Sequence, residues 1–397
     1  LSATSDMMAF VDRKLVFQAV NRACAEAFGL TIDEMVGRHL PEVLGRGSFN
    51  DEIESKFLRC LNGEEVEFRD WFSFPSLGRR FVDARGVPFT EEDGRTTGVV
   101  VSVRDVTDWK RTEEERRRLE ASALEEIGND LAFMAQLGLV DAGELPGILS
   151  LVEFSAYTDP ANPLHECSII YEGVPEVMDV KREALAYVSK VATSTAVIAS
   201  TTSTFLVTEL ADLVEHPGRF MNAHWLNPAH LMPLVEMSRS DDTDQAAIDT
   251  LTRSLESIRK VPILCSASPG YIVPRIQSLA MNEAARLVEE GVASAEDVDK
   301  AINVGFGPRF AVLGLLEFID WGGGDILYYA SNYLSEAIGP RYKPPEIIRE
   351  NMESGKNGLR EGVGFFDYSD TDANEYRARR MREFVSLLQY KDLLPVY

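Results

Sequence analysis

Four polar stretches hold residue types suited to moving a proton: STTS at 200–203, HWLNP at 224–228, an LVE that ends at Glu236, and VPE at 174–176. A histidine with a carboxylate beside it is an economical proton-transfer device at neutral pH, because the acid orients the ring and raises its basicity. His224 lies 21 positions after Ser203 and 12 before Glu236. The reading below turns on whether the surrounding elements bring these residues to one place.

From about Leu131 the pattern is strands alternating with helices. AFMAQLGLVDAGELPGILSLVEF reads as helix, glycine-bearing loop, short helix and strand, and CSIIYEGVPEVMDVKREALAYVSKVA as a buried strand, loop and helix. AVIAS, FMNAHW and VPILCSAS add apolar strands, and VTELADLVE adds a helix. Such alternation implies βαβ units and a parallel sheet, whose strand carboxyl ends are the usual place for a ligand crevice. All four polar stretches fall at that edge. Beyond Ser268-Pro269-Gly270 the chain reads as almost wholly helical, from RIQSLAMNEAARLVEEG to NEYRARRMREFVSLLQY.

The first hundred residues differ. MMAFVDRKLVFQAVNRACAEAF reads as strand, turn, strand and a helix opened near Asn21; GLTIDEMVGRHLPEVLG and FNDEIESKFLRCLNGE read as short helical pieces. Three strand-like runs follow, VEFRDWFSF, RRFVDARGVPF and GVVVSVRDV, with a strong hairpin cue at Asp93-Gly94. The NRA helix, the hairpin and the closing DVT with its charged helix resemble a PAS domain, which implies an α+β sensory or dimerising module over residues 1–107. Cys24 reads as core, and His39 as a surface or capping residue rather than a haem ligand. The run KRTEEERRRLEASALEE reads either as a solvated helix with i,i+4 ion pairs or as a signalling coiled coil.

The spacing of STTS, HWLNP and Glu236, with SPGYIVPR, LVEEGVASAEDVDKAI and GLREGVGFFDY, resembles the L-3-hydroxyacyl-CoA dehydrogenase family, including 3-hydroxybutyryl-CoA dehydrogenases and lambda-crystallin-like relatives, over roughly 103–397. The resemblance implies NAD as cofactor and an acyl-CoA or small 3-hydroxy acid as substrate. His224 would take the hydroxyl proton, Glu236 would orient it, and Ser203 and Asn227 would hydrogen-bond the reacting oxygen. Glu176 would sit beside the nicotinamide ribose and Lys181 near the phosphates of substrate or cofactor. The implied architecture is a PAS module, a connecting helix over 108–130, an N-terminally truncated Rossmann-like domain over 131–267 and an all-α dimerisation domain over 268–397. Pro274 stands where the family usually has Asn, which removes a side-chain donor. GFGPRFAVLG at 305–314 lies nearer the branch acting on free hydroxy acids.

None of the 28 glycines forms the G-x-G-x-x-G turn that lets a backbone approach a pyrophosphate at a helix N-terminus. GRGSFN and GFGPRF are the nearest stretches, and both fail at the last place. In the family an acid ending the second strand holds the adenosine ribose about 70 residues before the VPE acid, and Asp105 lies 71 before Glu176. One segment, VVVSVRDVTDWKR, thus satisfies both templates, and NAD binding is expected to be weakened or lost. The alternative function is a PAS-linked sensor or pseudoenzyme that uses the dehydrogenase remnant as a dimer scaffold or acyl-ligand binder.

The net charge of −24 argues against nucleic-acid affinity, which needs clustered Lys and Arg. Cys24, Cys60, Cys167 and Cys265 include no C-x-x-C pair, so neither zinc nor a disulfide framework is expected. Apolar runs are too short for a membrane span, and a cytoplasmic homodimer is expected. Leu1 in place of an initiating Met reads as the start of a trimmed chain.

Overall fold

The structure, a computed structural model, describes residues 5–45, 49–156 and 162–394. Arg46, Gly47 and Ser48 of GRGSFN lie outside the described residues. The chain divides into two units, Leu1–Pro160 and Ala161–Tyr397.

In the first unit, β1 (Met7–Asp12) and β2 (Phe17–Val20) form a hairpin that leads into α1 (Arg22–Phe28). The Asn21 side chain caps α1, accepting from the Cys24 amide, so the NRA motif is a helix start. Short helices α2 (Ile32–Met35) and α3 (Leu40–Leu44) precede α4 (Asp51–Leu61) and the meander β3 (Val66–Phe74), β4 (Gly78–Thr90) and β5 (Thr96–Asp105). All five strands form one antiparallel sheet in the order β2-β1-β5-β4-β3. Its apolar face and the small helices enclose a core that includes Val11, Phe17, Met35 and Val82, with an apolar cavity of about 100 Å³. Cys24 belongs to this core, and burial pushes its thiol up to about 12.

Helix α5 (Thr107–Gln136) follows directly, then α6 (Leu145–Leu149) packs on it. The ion pairs Arg117–Glu113, Lys110–Glu114 and Arg116–Glu120 lie along α5, as its charge run predicts. The strand expected at LVEF does not form: residues 152–156 are irregular, because no described strand lies alongside to pair with so short a run.

The second unit opens with β6 (Ile169–Glu172), α7 (Met178–Val191), β7 (Val197–Ser200), α8 (Val207–Ala211) and β8 (Phe220–Trp225). It continues through β9 (Leu234–Arg239), α9 (Gln245–Ser257) and β10 (Val261–Ser266). The sheet order is β10-β9-β8-β7-β6. β7 is buried along its whole length, the signature of a strand covered on both faces. Leu251 and Leu255 of α9 pack one face; Leu185 of α7 and Leu210 of α8 pack the other. Each such fully buried side chain stabilises the sheet by roughly 1.5–3 kcal/mol.

The expectation of a parallel sheet needs one correction. β8 and β9 run antiparallel, whereas β6, β7 and β8 are mutually parallel and β9 is parallel to β10. Residues 226–233 between β8 and β9 are too few for the crossover that a parallel pair requires, so the chain turns back.

The remainder is helical: α10 (Val273–Glu289), α11 (Ala295–Ala301), α12 (Gly307–Val312), α13 (Leu315–Gly322), α14 (Gly324–Ala337), α15 (Glu346–Glu353) and α16 (Ala373–Tyr390). GFGPRF lies in a π-turn and the start of α12, so it is not a phosphate loop. The GVGFFDY motif exists for packing. The buried Asp320 carboxylate accepts the amides of Phe365 and Phe366 at 2.9 Å each, and a Cβ on Gly364 would stand 2.2 Å from that carboxylate.

Candidate active site

The 12-residue spacing of His224 and Glu236 becomes a register. The two residues are direct partners across the antiparallel β8–β9 pair, so their side chains share a face. Met221 and Ala223 alternate into the core on the other face, which leaves Asn222 and His224 together on this one. His224 Nδ1 lies 3.0 Å from Glu236 Oε2. A carboxylate only accepts, so this contact places the ring proton on Nδ1 and leaves Nε2 as the basic atom.

Glu236 has no exposed surface, and its other oxygen accepts the amides of Ile272 at 2.9 Å and Val273 at 2.8 Å. These are unsatisfied donors at the start of α10, where a negative charge is also favoured by the helix dipole. Pro274 is the second residue of α10, where a missing N–H costs nothing in the helix ladder.

A second cluster stands at the ends of β6 and β7. The exposed Glu176 carboxylate accepts the Thr202 hydroxyl at 2.8 Å and the Ser203 amide at 2.8 Å. Burial works against its ionisation, but these two bonds and the Lys181 charge outweigh it and hold the carboxyl below the usual range. Lys181 is fully buried. Its ammonium lies 3.1 Å from Glu172 Oε1 and 3.4 Å from Glu176 Oε2, and the Ser200 hydroxyl donates to Glu172 Oε2 at 2.6 Å. Removing either member of the Lys181–Glu172 pair would strand a buried charge, at a cost of about 3–5 kcal/mol.

Two expected roles change. Lys181 is turned inward onto Glu172 and supports Glu176 rather than facing a phosphate, because its stem is held in the core of α7. Asp105 ends β5 of the first sheet, opposite Val82, and does not end a strand of the second. Its carboxylate accepts the Thr107 amide at 2.9 Å and the Thr107 hydroxyl at 2.5 Å, while Thr107 Oγ1 accepts from the Phe81 amide at 2.9 Å. The DVT motif thus fixes the exit helix to β4, and Asp105 is engaged in that cap. Asn227 is exposed just past the end of β8. Ser203 is joined to His224 indirectly: Tyr271 donates to the Thr202 carbonyl at 2.7 Å and stacks on the His224 ring. Sequence reasoning missed Glu172, Asn222 and Tyr271. Glu172 closes an apolar strand four residues before Glu176, which was a signal available to it.

A His–carboxylate pair at the carboxyl edge of a mostly parallel sheet, followed by a helical segment, defines a Rossmann-type dehydrogenase unit. The profile of the 3-hydroxyacyl-CoA dehydrogenase NAD binding domain matches residues 97–268, and that of its C-terminal domain matches 270–368. The PAS fold profile matches 1–111. The mitochondrial hydroxyacyl-coenzyme A dehydrogenase of Sus scrofa is 31% identical over 221 residues, 55% of this chain and 69% of that protein. The probable 3-hydroxybutyryl-CoA dehydrogenase of Deinococcus radiodurans is 29% identical over 231 residues, 58% of this chain and 80% of its own. The crystal structure of a 3-hydroxyacyl-CoA dehydrogenase from Archaeoglobus fulgidus is 32% identical, with a TM-score of 0.55, and covers 63% of this chain and 84% of that one. The chain belongs to the 3-hydroxyacyl-CoA dehydrogenase family and carries a PAS-fold module at its N-terminal end.

NAD is the family's cofactor, and the site fits one half of it. The exposed Glu176 carboxylate, backed by Thr202 and Lys181, offers acceptors for ribose hydroxyls at the sheet edge. Among the described residues no strand pairs with the outer side of β6, and no glycine turn leads from a strand into a helix there. Residues 97–111, claimed by both profiles, belong to the first unit's β5 and α5.

Proposed function

We propose that this chain moves a hydride between NAD and the 3-hydroxyl carbon of an acyl-CoA or a smaller 3-hydroxy acid. The observation that carries this reading is the 3.0 Å contact between His224 Nδ1 and the buried Glu236, which leaves His224 Nε2 free as the base. NAD, when bound, accepts the hydride. His224 Nε2 takes the hydroxyl proton, Glu236 stabilises the ring as it becomes positive, and Ser203 and Asn227 would hydrogen-bond the reacting oxygen. With acyl-CoA and NAD as substrates, the reaction takes place in the cytoplasm, and the working form is a homodimer built through the helical segment.

Acetoacetyl-CoA reduction followed by NADH absorbance tests this. His224→Ala should lower kcat by about a hundredfold to ten-thousandfold, the usual contribution of a positioned general base. Wild-type turnover no faster than this variant would overturn the proposal. The unpaired outer edge of β6 favours a second reading, an acyl-ligand binder without NAD turnover. Calorimetric binding of acetoacetyl-CoA with no binding of NADH would mark it.

A further inference from the structure

The resemblance assigns no role to Tyr271 of SPGYIVPR, yet it contacts His224, Asn222 and Thr202. Its ring lies parallel to the His224 imidazole, with centroids 4.8 Å apart and planes 10° apart. Its hydroxyl donates to the Thr202 carbonyl at 2.7 Å and accepts from Asn222 Nδ2 at 3.1 Å. The side chain is buried, and burial pushes the phenol upward, so the hydroxyl stays a donor across the working pH range. The backbone of Tyr271 has φ +47°, a left-handed conformation that strains a non-glycine residue and persists only where the surroundings enforce it. The next two amides, Ile272 and Val273, are the donors bound by Glu236. A single turn therefore touches the ring of one partner and the carboxylate of the other.

One hydrogen bond fixes a point on an imidazole and leaves the ring free to swing about that contact. A stacked ring fixes the plane. We infer that Tyr271 is a positioning residue: its ring holds the His224 plane so that Nε2 stays aimed along one direction, and its hydroxyl ties that plane to the Thr202-Ser203 turn. The left-handed Tyr271 belongs to this arrangement: its ring lies over His224 while the following two amides meet Glu236.

The kinetic part of the test rests on the proposed activity; the spectroscopic part does not. Tyr271→Phe keeps the stack and loses the hydroxyl, while Tyr271→Leu loses both. In the full-length chain, Tyr271→Leu should lower kcat by about tenfold to a hundredfold, as small misplacements of a reacting group do, and should shift the acid limb of the pH profile. Tyr271→Phe should leave kcat within about threefold and raise KM for acetoacetyl-CoA by about threefold to tenfold, the effect of losing one hydrogen bond in the Ser203 turn. Nitrogen NMR of the histidine-labelled protein should show a sharp His224 Nδ1–H signal in wild type and Tyr271→Phe, and one broadened by exchange in Tyr271→Leu, where the ring swings about its Glu236 contact.

A His224 signal as sharp in a folded Tyr271→Leu as in wild type overturns the inference. So does a Tyr271→Phe variant that loses about tenfold or more in kcat or gives a broadened His224 signal, outcomes that do not depend on the Leu variant folding. The predicted pattern of line widths in a chain without turnover supports the inference and overturns the proposed activity, so the two fail separately.

Discussion

Glu236 uses both oxygens at once, one on His224 Nδ1 and one on the first amides of α10, so the group that orients the base also fastens the helical segment to the sheet. Glu176 is its counterpart at the exposed end of the site, and its titration is a test at the same scale. Its folded-state carboxyl titrates below the unfolded value of about 4.3. Between those two values the unfolded chain binds a proton that the folded chain does not, so stability rises with pH there. The contribution is complete above the unfolded value and is lost as pH falls through the folded one. Urea denaturation should therefore show a wild-type advantage over Glu176→Gln that is constant from about pH 5 to 7 and shrinks below about pH 4. An advantage independent of pH would show that the carboxylate's bonds to Thr202 and Ser203 are not made in solution.

At the scale of elements, the site depends on strand ends. β6 and β7 deliver Glu176, Thr202 and Ser203, and the β8–β9 register delivers the His–Glu pair. The same sheet stops at β6 on the side where a dinucleotide fold places its first strand. On the proposed function, Glu176 and its neighbours would meet the nicotinamide end of the cofactor, while the pyrophosphate would meet no glycine turn among the described residues. A turn giving three charge-assisted bonds would favour the dinucleotide over its nicotinamide half by about a thousandfold or more. Without it, reduced nicotinamide mononucleotide should support acetoacetyl-CoA reduction with kcat/KM within about tenfold of NADH. A preference for NADH of a thousandfold would show that a pyrophosphate cradle is present in the working enzyme.

At the scale of the molecule, the helical segment leaves many of its large apolar residues exposed. No residue of α10 is buried, and Leu279 and Met281 are 68% and 64% exposed. Exposed apolar surface of that extent marks an association surface, and a second copy of this chain is the occupant the proposed dimer requires. Light scattering should give twice the 44.2 kDa chain mass, and Leu279→Glu should move the population toward the monomer without loss of helix content. A wild-type chain that elutes as a monomer at micromolar concentration would remove this element of the proposal.

The alternation of strands and helices, the polar stretches at strand ends and the NRA, DVT and GVGFFDY motifs were legible in the sequence because each is a local pattern with a local physical cause. Spacing together with the family resemblance singled out His224, Glu236 and Ser203, and the short return between β8 and β9 sets the register of the first two. Three things were not local. Val99–Asp105 suits either sheet by pattern, and only pairing with β1 and β4 decides that it belongs to the first. Lys181 reads as a phosphate ligand until burial beside Glu172 turns it inward. Tyr271 lies 47 residues from His224 in the chain, and nothing short of the folded α10 turn brings its ring to within stacking distance. The sequence by itself determined which chemistry was available. Tertiary packing decided which groups face the reacting atoms, because burial and register act between segments that sequence order keeps apart.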